Sequence, residues 1–268
     1  MVDATVYTHG HAESVLRSHR TRTALNSAAY LLADLHPGLS VLDVGSGPGT
    51  ITVDLAELVA PGRVTAVETS KATLDLTRAE ATRRGCTTID FLVGDIHALN
   101  LPDDSFDVVH AHQVLQHVAD PTTALREMIR VCRPGGVVAA RDGDYAGFTW
   151  HPDSAGLEQW RGLYRQAARA NGGEPDAGRH LLGWAHAAGA SEVRASSSTW
   201  CYADPDSRRE WGHMWADRIT NSAVADQLLT SGLATREVLR ELADAWNDWA
   251  NHPDGWISVL HGEILIRV

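Results

Sequence analysis

Apolar residues in the first 142 positions follow two alternating patterns. Short apolar runs predict strands, and longer segments with apolar residues three or four positions apart predict helices. Glycine and proline separate the segments, as at Pro61-Gly62. The predicted strands cover 41–44, 63–68, 88–93, 107–111 and 137–142, and the predicted helices cover about 49–59, 70–84 and 120–132. Strands that alternate with helices in this way indicate βαβ units and a parallel sheet.

The segments on either side of this region have other patterns. Residues 12–35 have helical spacing. Beyond position 143 the pattern predicts helices over 154–171 and 176–189, a strand over 192–202, two or three helices over 205–250 and a last strand over 256–268. All nine tryptophans lie at or beyond Trp150. The pairs Trp211/Trp215 and Trp246/Trp249 share helix faces, which is typical either of core packing or of an aromatic lid over a substrate.

The segment VLDVGSGPGT, residues 41–50, is the most informative motif. Its three glycines follow a buried strand and allow the backbone to turn tightly and approach a ligand. The sixth position of a dinucleotide-binding GxGxxG motif is Thr50 here, and Asp43 stands two positions before the first glycine. A pyrophosphate gains nothing from a nearby carboxylate, whereas an ammonium or sulfonium group does. The motif therefore favours S-adenosylmethionine over a nicotinamide dinucleotide.

Two acidic residues at later strand ends extend this pattern. Glu68 lies 19 residues beyond Gly49, where a carboxylate can accept hydrogen bonds from both hydroxyls of a ribose. Asp95 follows the next strand and can bond an adenine amino group, with Ile96 packing on the ring. Carboxylates at three successive strand ends are more specific than any one of them alone.

On these residues the chain resembles the class I S-adenosylmethionine-dependent methyltransferases, and within them the ubiquinone/menaquinone biosynthesis C-methyltransferases and related small-molecule enzymes of secondary metabolism. The resemblance covers about residues 38–142 and includes VTAVETS, FLVGDIHALNLPDDSFDVVHAHQVLQHVADP and REMIRVCRPGGVVAARD. It implies an α/β fold, with a Rossmann-like sheet of seven strands in the order 3-2-1-4-5-7-6 and the last strand antiparallel. An N-terminal helix and a helical cap inserted in the C-terminal half complete the expected fold.

We expect one methyltransferase domain over residues 1–268. Its cofactor-binding core is expected at about 38–142, and helical elements that bind or cap the acceptor at about 143–190 and 204–252.

The resemblance also implies a site. The methionine part of the cofactor is expected at Asp43 and the glycine loop, the ribose at Glu68, and the adenine at Asp95 and Ile96. The full set of expected cofactor-binding residues is Asp43, Gly45, Ser46, Gly47, Gly49, Thr50, Glu68, Thr69, Asp95, Ile96, His112, Gln113 and Arg17. The expected acceptor-binding residues are Tyr7, His11, Asp142 and Tyr145.

His112 is the candidate catalytic residue, because an imidazole with an ordinary pKa near 6.5 can act as a general base at neutral pH. Two of the expected regions have a second interpretation. Arg17, like its neighbours Arg20 and Arg22, either meets the cofactor carboxylate or lies on a solvated basic face. Residues 142–145 either line the acceptor site or form a solvated turn.

Composition limits the partners. The 23 Lys and Arg against 34 Asp and Glu give a net charge of −11, which argues against nucleic-acid binding. The sequence contains no run of about 18 apolar residues, so membrane insertion is not expected. The absence of an apolar signal region and the three dispersed cysteines suit a cytoplasmic protein. No carboxylate or cysteine cluster completes His9-x-His11 or His110-x-His112, so no metal is expected.

The sequence thus predicts a monomeric or homodimeric enzyme that methylates a small molecule, aromatic or heterocyclic, by SN2 displacement and releases S-adenosylhomocysteine. The alternative is a non-catalytic partner or regulatory module that binds S-adenosylmethionine. A nicotinamide-dependent reductase is disfavoured by Asp43 and Thr50.

Overall fold

The computed structural model describes residues 21–268. The strands in this part of the chain are β1 (Ser40–Val44), β2 (Arg63–Glu68), β3 (Ile89–Val93), β4 (Phe106–His112), β5 (Cys132–Gly143), β6 (Thr149–His151), β7 (Glu192–Tyr202) and β8 (Trp256–Arg267). The α-helices are α1 (Ala24–Ser27), α2 (Thr50–Val59), α3 (Lys71–Arg83), α4 (Pro121–Val131), α5 (Ala155–Ala170), α6 (Leu181–Ala187), α7 (Pro205–Thr220), α8 (Ala223–Thr230) and α9 (Arg236–Asn251).

All described strands form one sheet. The five strands β3-β2-β1-β4-β5 are parallel neighbours in that order, and β8 continues the sheet antiparallel to β5. Strand β7 pairs with β8 along almost its whole length, also antiparallel. With β8 and β7 as the predicted seventh and sixth strands, the predicted order and the antiparallel last strand are confirmed.

Two apolar layers cover the faces of the parallel strands. One face packs Val41, Val64 and Val108 against α2 and α3, and the other packs Leu42, Val109 and Val138 against α4 and α6. Parallel strands that are buried on both faces read as continuous apolar runs, which is why their bounds were predicted closely.

A third apolar cluster holds the helices after position 150. Helices α5, α7, α8 and α9 pack around Trp160, Trp215 and Trp246, which are at most 1% exposed. Ile257 and Val259 of β8 belong to the same cluster. The helical cap therefore packs on the antiparallel end of the sheet.

The structure differs from the predicted elements in four places. Strand β5 begins at Cys132, five residues before its predicted start at 137, and Cys132 pairs with Phe106 of β4 ahead of an irregularity in the register. The helix predicted over 12–35 is wrong over its described part: α1 ends at Ser27, Ala28 leaves the helical region with φ −134° and ψ 22°, and a 3₁₀ helix follows over Ala29–Asp34. The helix predicted over 176–189 is a 3₁₀ turn (Ala177–Arg179) followed by α6. The three-residue strand β6, which pairs with β8 beyond the end of β5, was not predicted, because three residues show no alternation.

Candidate active site

The glycine loop between β1 and α2 has the backbone that its sequence predicts. Gly45, Gly47 and Gly49 have φ values of 74°, 55° and 90°, which favour glycine. A Cβ on Gly45 would lie 2.4 Å from Val114 Cγ2, and one on Gly49 would lie 2.8 Å from Thr77 Cα. A Cβ on Gly47 would meet no described atom within 4 Å. The outer two glycines therefore serve packing, and the middle one leaves open space above the loop.

Asp43 lies under this loop and is 3% exposed. Thr52 Oγ1 donates to its Oδ2 at 2.6 Å, and His110 Nδ1 lies 2.7 Å from its Oδ1. Parallel pairing puts His110 beside Asp43, with the two Cα atoms in register. The carboxylate therefore connects β1, β4 and the start of α2, and each oxygen can still accept a second hydrogen bond.

Glu68, at the end of β2, reaches the same loop. Its Oε1 accepts a hydrogen bond from the backbone N–H of Gly47 at 2.8 Å, and burial raises the pKa of this carboxyl. Ser46 Oγ lies 2.9 Å from Thr77 Oγ1, which donates to the carbonyl of Gly47 at 2.7 Å. The structure thus brings Asp43, Ser46 and Glu68 together around the loop. Of the other expected residues, Thr50 begins α2, and Thr69 follows Glu68 and is exposed.

Asp95 and Ile96, beyond β3, point in different directions. The Asp95 side chain is 63% exposed and accepts from the backbone N–H of His97 at 2.9 Å. Ile96 is 4% exposed and belongs to the apolar layer around α4. Asp95 is therefore accessible to a ligand at this edge, whereas Ile96 is mostly covered by protein.

His112 ends β4 and is buried, and neither ring nitrogen has a hydrogen-bond partner in the described part of the chain. Burial lowers its pKa well below the usual value, and the guanidinium groups of Arg22 and Arg141 lower it further. The ring is therefore neutral at neutral pH and is a weaker base than the sequence suggests. Gln113, with φ 54°, directs its amide to His261 Nε2 at 2.9 Å.

Sequence reasoning missed a polar cluster beside His112. Arg141 of β5 is in register with His112 on one side and with Glu263 of β8 on the other. Arg141 Nε donates to Ser198 Oγ and to Glu263 Oε1, both at 3.2 Å. The signal in the sequence was a charged residue within the apolar part of each of two strands, and nothing in the sequence linked the two because β5 and β8 are far apart along the chain.

Residues 142–145 are buried, so the alternative of a solvated turn is wrong. Asp142 Oδ1 accepts from the backbone N–H of Gln116 at 3.0 Å, and burial raises its pKa to about 7. Asp144 pairs with Arg179 through two contacts of 2.6 Å. The Tyr145 ring stacks on Phe148 and lies in the cap cluster.

The tryptophan pairs follow the first of the two interpretations that the sequence left open, core packing. Trp215, Trp246 and Trp249 are at most 2% exposed and form core packing with Trp160. Trp200 on β7 is only partly buried, and its ring centroid lies 5.8 Å from that of His112. The one tryptophan beside His112 is thus a strand residue outside the pairs.

Three expected residues, Tyr7, His11 and Arg17, lie outside the described residues. Within residues 21–268, the Arg22 guanidinium lies 5.4 Å from the centre of the Trp200 ring. Over the same residues, no group of three or more His, Cys, Asp or Glu side chains is placed to hold a metal ion. No helix in this part of the chain is long and apolar enough to span a bilayer.

This fold and loop define a class of protein. The sheet order, the glycine loop after β1 and the acidic residue at the end of β2 are those of a class I S-adenosylmethionine-dependent methyltransferase. A family model described as a methyltransferase domain matches residues 35–185. The chain belongs to this family.

Known proteins agree with the assignment. An uncharacterised methyltransferase of Schizosaccharomyces pombe is 33% identical over 277 residues, which cover 99% of this chain and 97% of the relative. A ubiquinone/menaquinone biosynthesis C-methyltransferase of Hahella chejuensis is 40% identical over 101 residues, 37% of this chain and 41% of that protein. The YcgJ protein of Bacillus subtilis has a similar fold, with a TM-score of 0.57 at 18% identity over 89% of this chain and 97% of its own.

The chain is therefore an S-adenosylmethionine-dependent methyltransferase. The site fits this cofactor, because a Cβ on Gly47 would meet open space and the backbone N–H of Gly47 is bonded to Glu68, the carboxylate expected at the ribose.

Proposed function

We propose that the enzyme methylates an aromatic or heterocyclic small molecule. The molecule would be held between the ends of β4 and β5 on one side and the tryptophan-containing part of the chain, residues 150–256, on the other. The glycine loop, which is open at Gly47, carries the cofactor part of the proposal, and the strand before it, β1, is the parallel neighbour of β4. The partly buried Trp200 ring, 5.8 Å from His112, supports an acceptor with a planar ring.

The cofactor contacts in this proposal are those expected from the sequence, except at the buried residues Asp43 and Ile96. The glycine loop, with Ser46 and Thr50, meets the methionine part of the cofactor, and Asp43 steadies the loop from below through Thr52 and His110. Glu68 exchanges its hydrogen bond with Gly47 for the ribose hydroxyls, and the exposed Asp95 reaches the adenine amino group. Gln113 and His112 line the space toward the acceptor.

Bound S-adenosylmethionine supplies a sulfonium methyl that is intrinsically reactive, so the main task of the chain is to align the acceptor and exclude water. His112 is neutral because burial lowers its pKa. Its ring can accept a hydrogen bond from an acceptor O–H or N–H and so orient the nucleophilic atom. Residues 143–190 and 204–252 are proposed to select the acceptor.

Calorimetry with S-adenosylmethionine and S-adenosylhomocysteine tests the cofactor site. Gly47→Val fills the open space, so we expect it to weaken binding at least about 100-fold. Gly85→Val is the matched control, because Gly85 also has a positive φ, 69°, and open space around its Cβ but lies at the end of α3. Equal loss in both variants, or no binding by the wild type, would contradict the proposed site.

Turnover separates catalysis from the non-catalytic alternative. Aromatic and heterocyclic compounds are incubated with methyl-labelled S-adenosylmethionine and the protein, and transfer to at least one of them is expected. Cofactor binding without transfer to any compound of a broad panel would favour the regulatory module.

A further inference from the structure

A set of buried polar atoms beside His112 has no hydrogen-bond partner in the described part of the chain. The set comprises both ring nitrogens of His112, Nη1 and Nη2 of Arg141, and the hydroxyl of Tyr30. All lie at the carboxyl end of the parallel strands, where open α/β sheets bind ligands. Buried donors are nearly always satisfied, so a group of this size points to a ligand.

Arg141 is the most informative member. It is 1% exposed and, among residues 21–268, forms hydrogen bonds only through Nε, toward Ser198 and Glu263. Glu263 is already well satisfied, because its Oε2 also accepts from Ser196 Oγ at 2.8 Å. The two Nη groups therefore remain as a fork of donors, and such a fork matches the two oxygens of a carboxylate.

The surroundings of the fork favour an anion with a planar body. The Arg141 guanidinium lies 4.9 Å from the centre of the Trp200 ring, and that of Arg22 lies 5.4 Å from it. Burial lowers the pKa values of His112 and His261, and the two guanidinium groups lower them further. The exposed part of Trp200 offers a flat apolar surface beside these guanidinium groups.

We propose that Nη1 and Nη2 of Arg141 bind a carboxylate on the acceptor, so that the enzyme methylates aromatic or heterocyclic acids. This inference rests on the proposed function. The bound carboxylate is an anchor and not the methylated group, because its oxygens are engaged by the guanidinium. The ring lies along Trp200, and the nucleophilic atom of the acceptor faces His112.

The cofactor also carries a carboxylate, but the position of Arg141 favours the acceptor. Arg141 is on β5, and β4 separates it from β1 and the glycine loop. Neighbouring strands are about 4.8 Å apart, so Arg141 is about 10 Å from the strand that carries the loop. Within the described residues, the expected contacts of the cofactor lie at β1 to β4, and the residue expected at its carboxylate is Arg17.

Matched pairs of acids and amides test the charge requirement. Protein loaded with S-adenosylhomocysteine is titrated in a calorimeter with benzoate, 4-hydroxyphenylacetate, indole-3-acetate and quinoline-2-carboxylate, each against its primary amide. At least one acid is expected to bind about tenfold or more tighter than its amide. If no acid is preferred over its amide, the inference is overturned.

Variants test whether the preference for an acid over its amide depends on Arg141. The double variant Arg141→Gln/Glu263→Gln removes both charges together, so that no carboxylate is left buried alone, and it is expected to reduce the preference to about twofold or less. Arg141→Lys keeps the charge but not the fork and is expected to lose most of the preference. Arg240→Gln, on the exposed side of α9, is the control and is expected to keep it.

The affinity for S-adenosylhomocysteine distinguishes the possible failures. It is expected to be unchanged in the double variant. A loss of about tenfold or more there would assign the fork to the cofactor carboxylate and overturn the inference while leaving the proposed function intact. No binding of S-adenosylhomocysteine by the wild type would instead contradict the proposed cofactor site.

Discussion

The two halves of the ligand-binding edge are built in different ways. At the ends of β1 to β3 the groups are backbone atoms and carboxylates carried by short continuous motifs, and Asp95 is open to solvent. At the ends of β4, β5, β7 and β8 the groups are buried polar side chains from distant segments. Glu263 and Arg141, for example, are 122 residues apart in sequence.

This contrast separates binding of the cofactor, which the family shares, from binding of the acceptor. A loop that approaches its ligand with backbone needs glycine at fixed offsets, and such offsets are visible in any sequence that has them. A buried cluster needs only that strands pair in the right register, and the pairing leaves no fixed spacing. The first half therefore identifies the family, and the second half is where we propose that the acceptor is selected.

Loss of cap packing gives the largest expected effect on stability. Trp160→Ala removes a fully buried ring from the cap cluster and is expected to lower the free energy of unfolding by about 3–5 kcal/mol. Trp256→Ala, at a position 37% exposed, is the matched control and is expected to cost much less. Urea unfolding measures both.

The same pair of variants tests the separation of the two halves. S-adenosylhomocysteine affinity of the folded Trp160→Ala protein is expected to stay within about twofold of the wild type, because additive behaviour holds for distant sites. A large loss of affinity would mean that the cap and the glycine loop are coupled, and the comparison above would fail.

Asp142, on the acceptor side, is expected to make the free energy of unfolding depend on pH. Burial raises the pKa of this carboxyl from 3.8 to about 7 in the folded protein, so folding favours the neutral form. The contribution of neutral Asp142 to the free energy of unfolding is complete below about pH 4 and is lost as the pH rises through about 7. Asp142→Asn cannot ionise and is expected to be more stable than the wild type at pH 8, by at most about 4 kcal/mol at about 1.4 kcal/mol per pKa unit.

Urea unfolding at pH 5 and pH 8 checks this expectation. The stability difference between the variant and the wild type should shrink toward pH 5. Asp153→Asn, at an exposed position, is the control. A difference that does not change with pH would show that Asp142 is ionised in the folded protein throughout this range.

The smallest expected effect concerns the outer surface of the cofactor half. Arg84 bridges Asp54 and Glu57 of α2 from the end of α3 and is about a quarter exposed. Arg84→Gln is expected to lower the free energy of unfolding by about 0.5–1 kcal/mol. Unfolding in 1 M NaCl should reduce this cost, because salt screens charges over about 3 Å at that strength. A cost that salt leaves unchanged would indicate packing of the side chain instead.

The parts of the fold that were predicted share one physical property. Strands β1 and β4 are buried on both faces, so their apolar runs are continuous, and the loop glycines need positive φ. The sheet order came from the resemblance of these motifs to a family. Element bounds from β1 to β4 differ from the prediction by at most one residue.

The parts that were missed depend on tertiary contacts. The break at Ala28 has no glycine or proline to mark it. Arg141 looks like a stray charge in β5 until β8 brings Glu263 beside it. The burial of His112, which weakens it as a base, likewise follows from the packing of β4 between its neighbours.

Strand β8 is the last of the described strands in sequence, but in the sheet it lies between β5 and β7. While the protein is being synthesised, β5 and β7 emerge earlier and have no antiparallel neighbour until β8 is complete. An unpaired strand edge is a template for association with other chains, and pairings between distant segments form slowly. The nascent chain is thus exposed to aggregation at this edge until β8 inserts, and insertion of the same strand brings Glu263 to Arg141. Closure of the sheet and assembly of the buried polar cluster are therefore a single folding event.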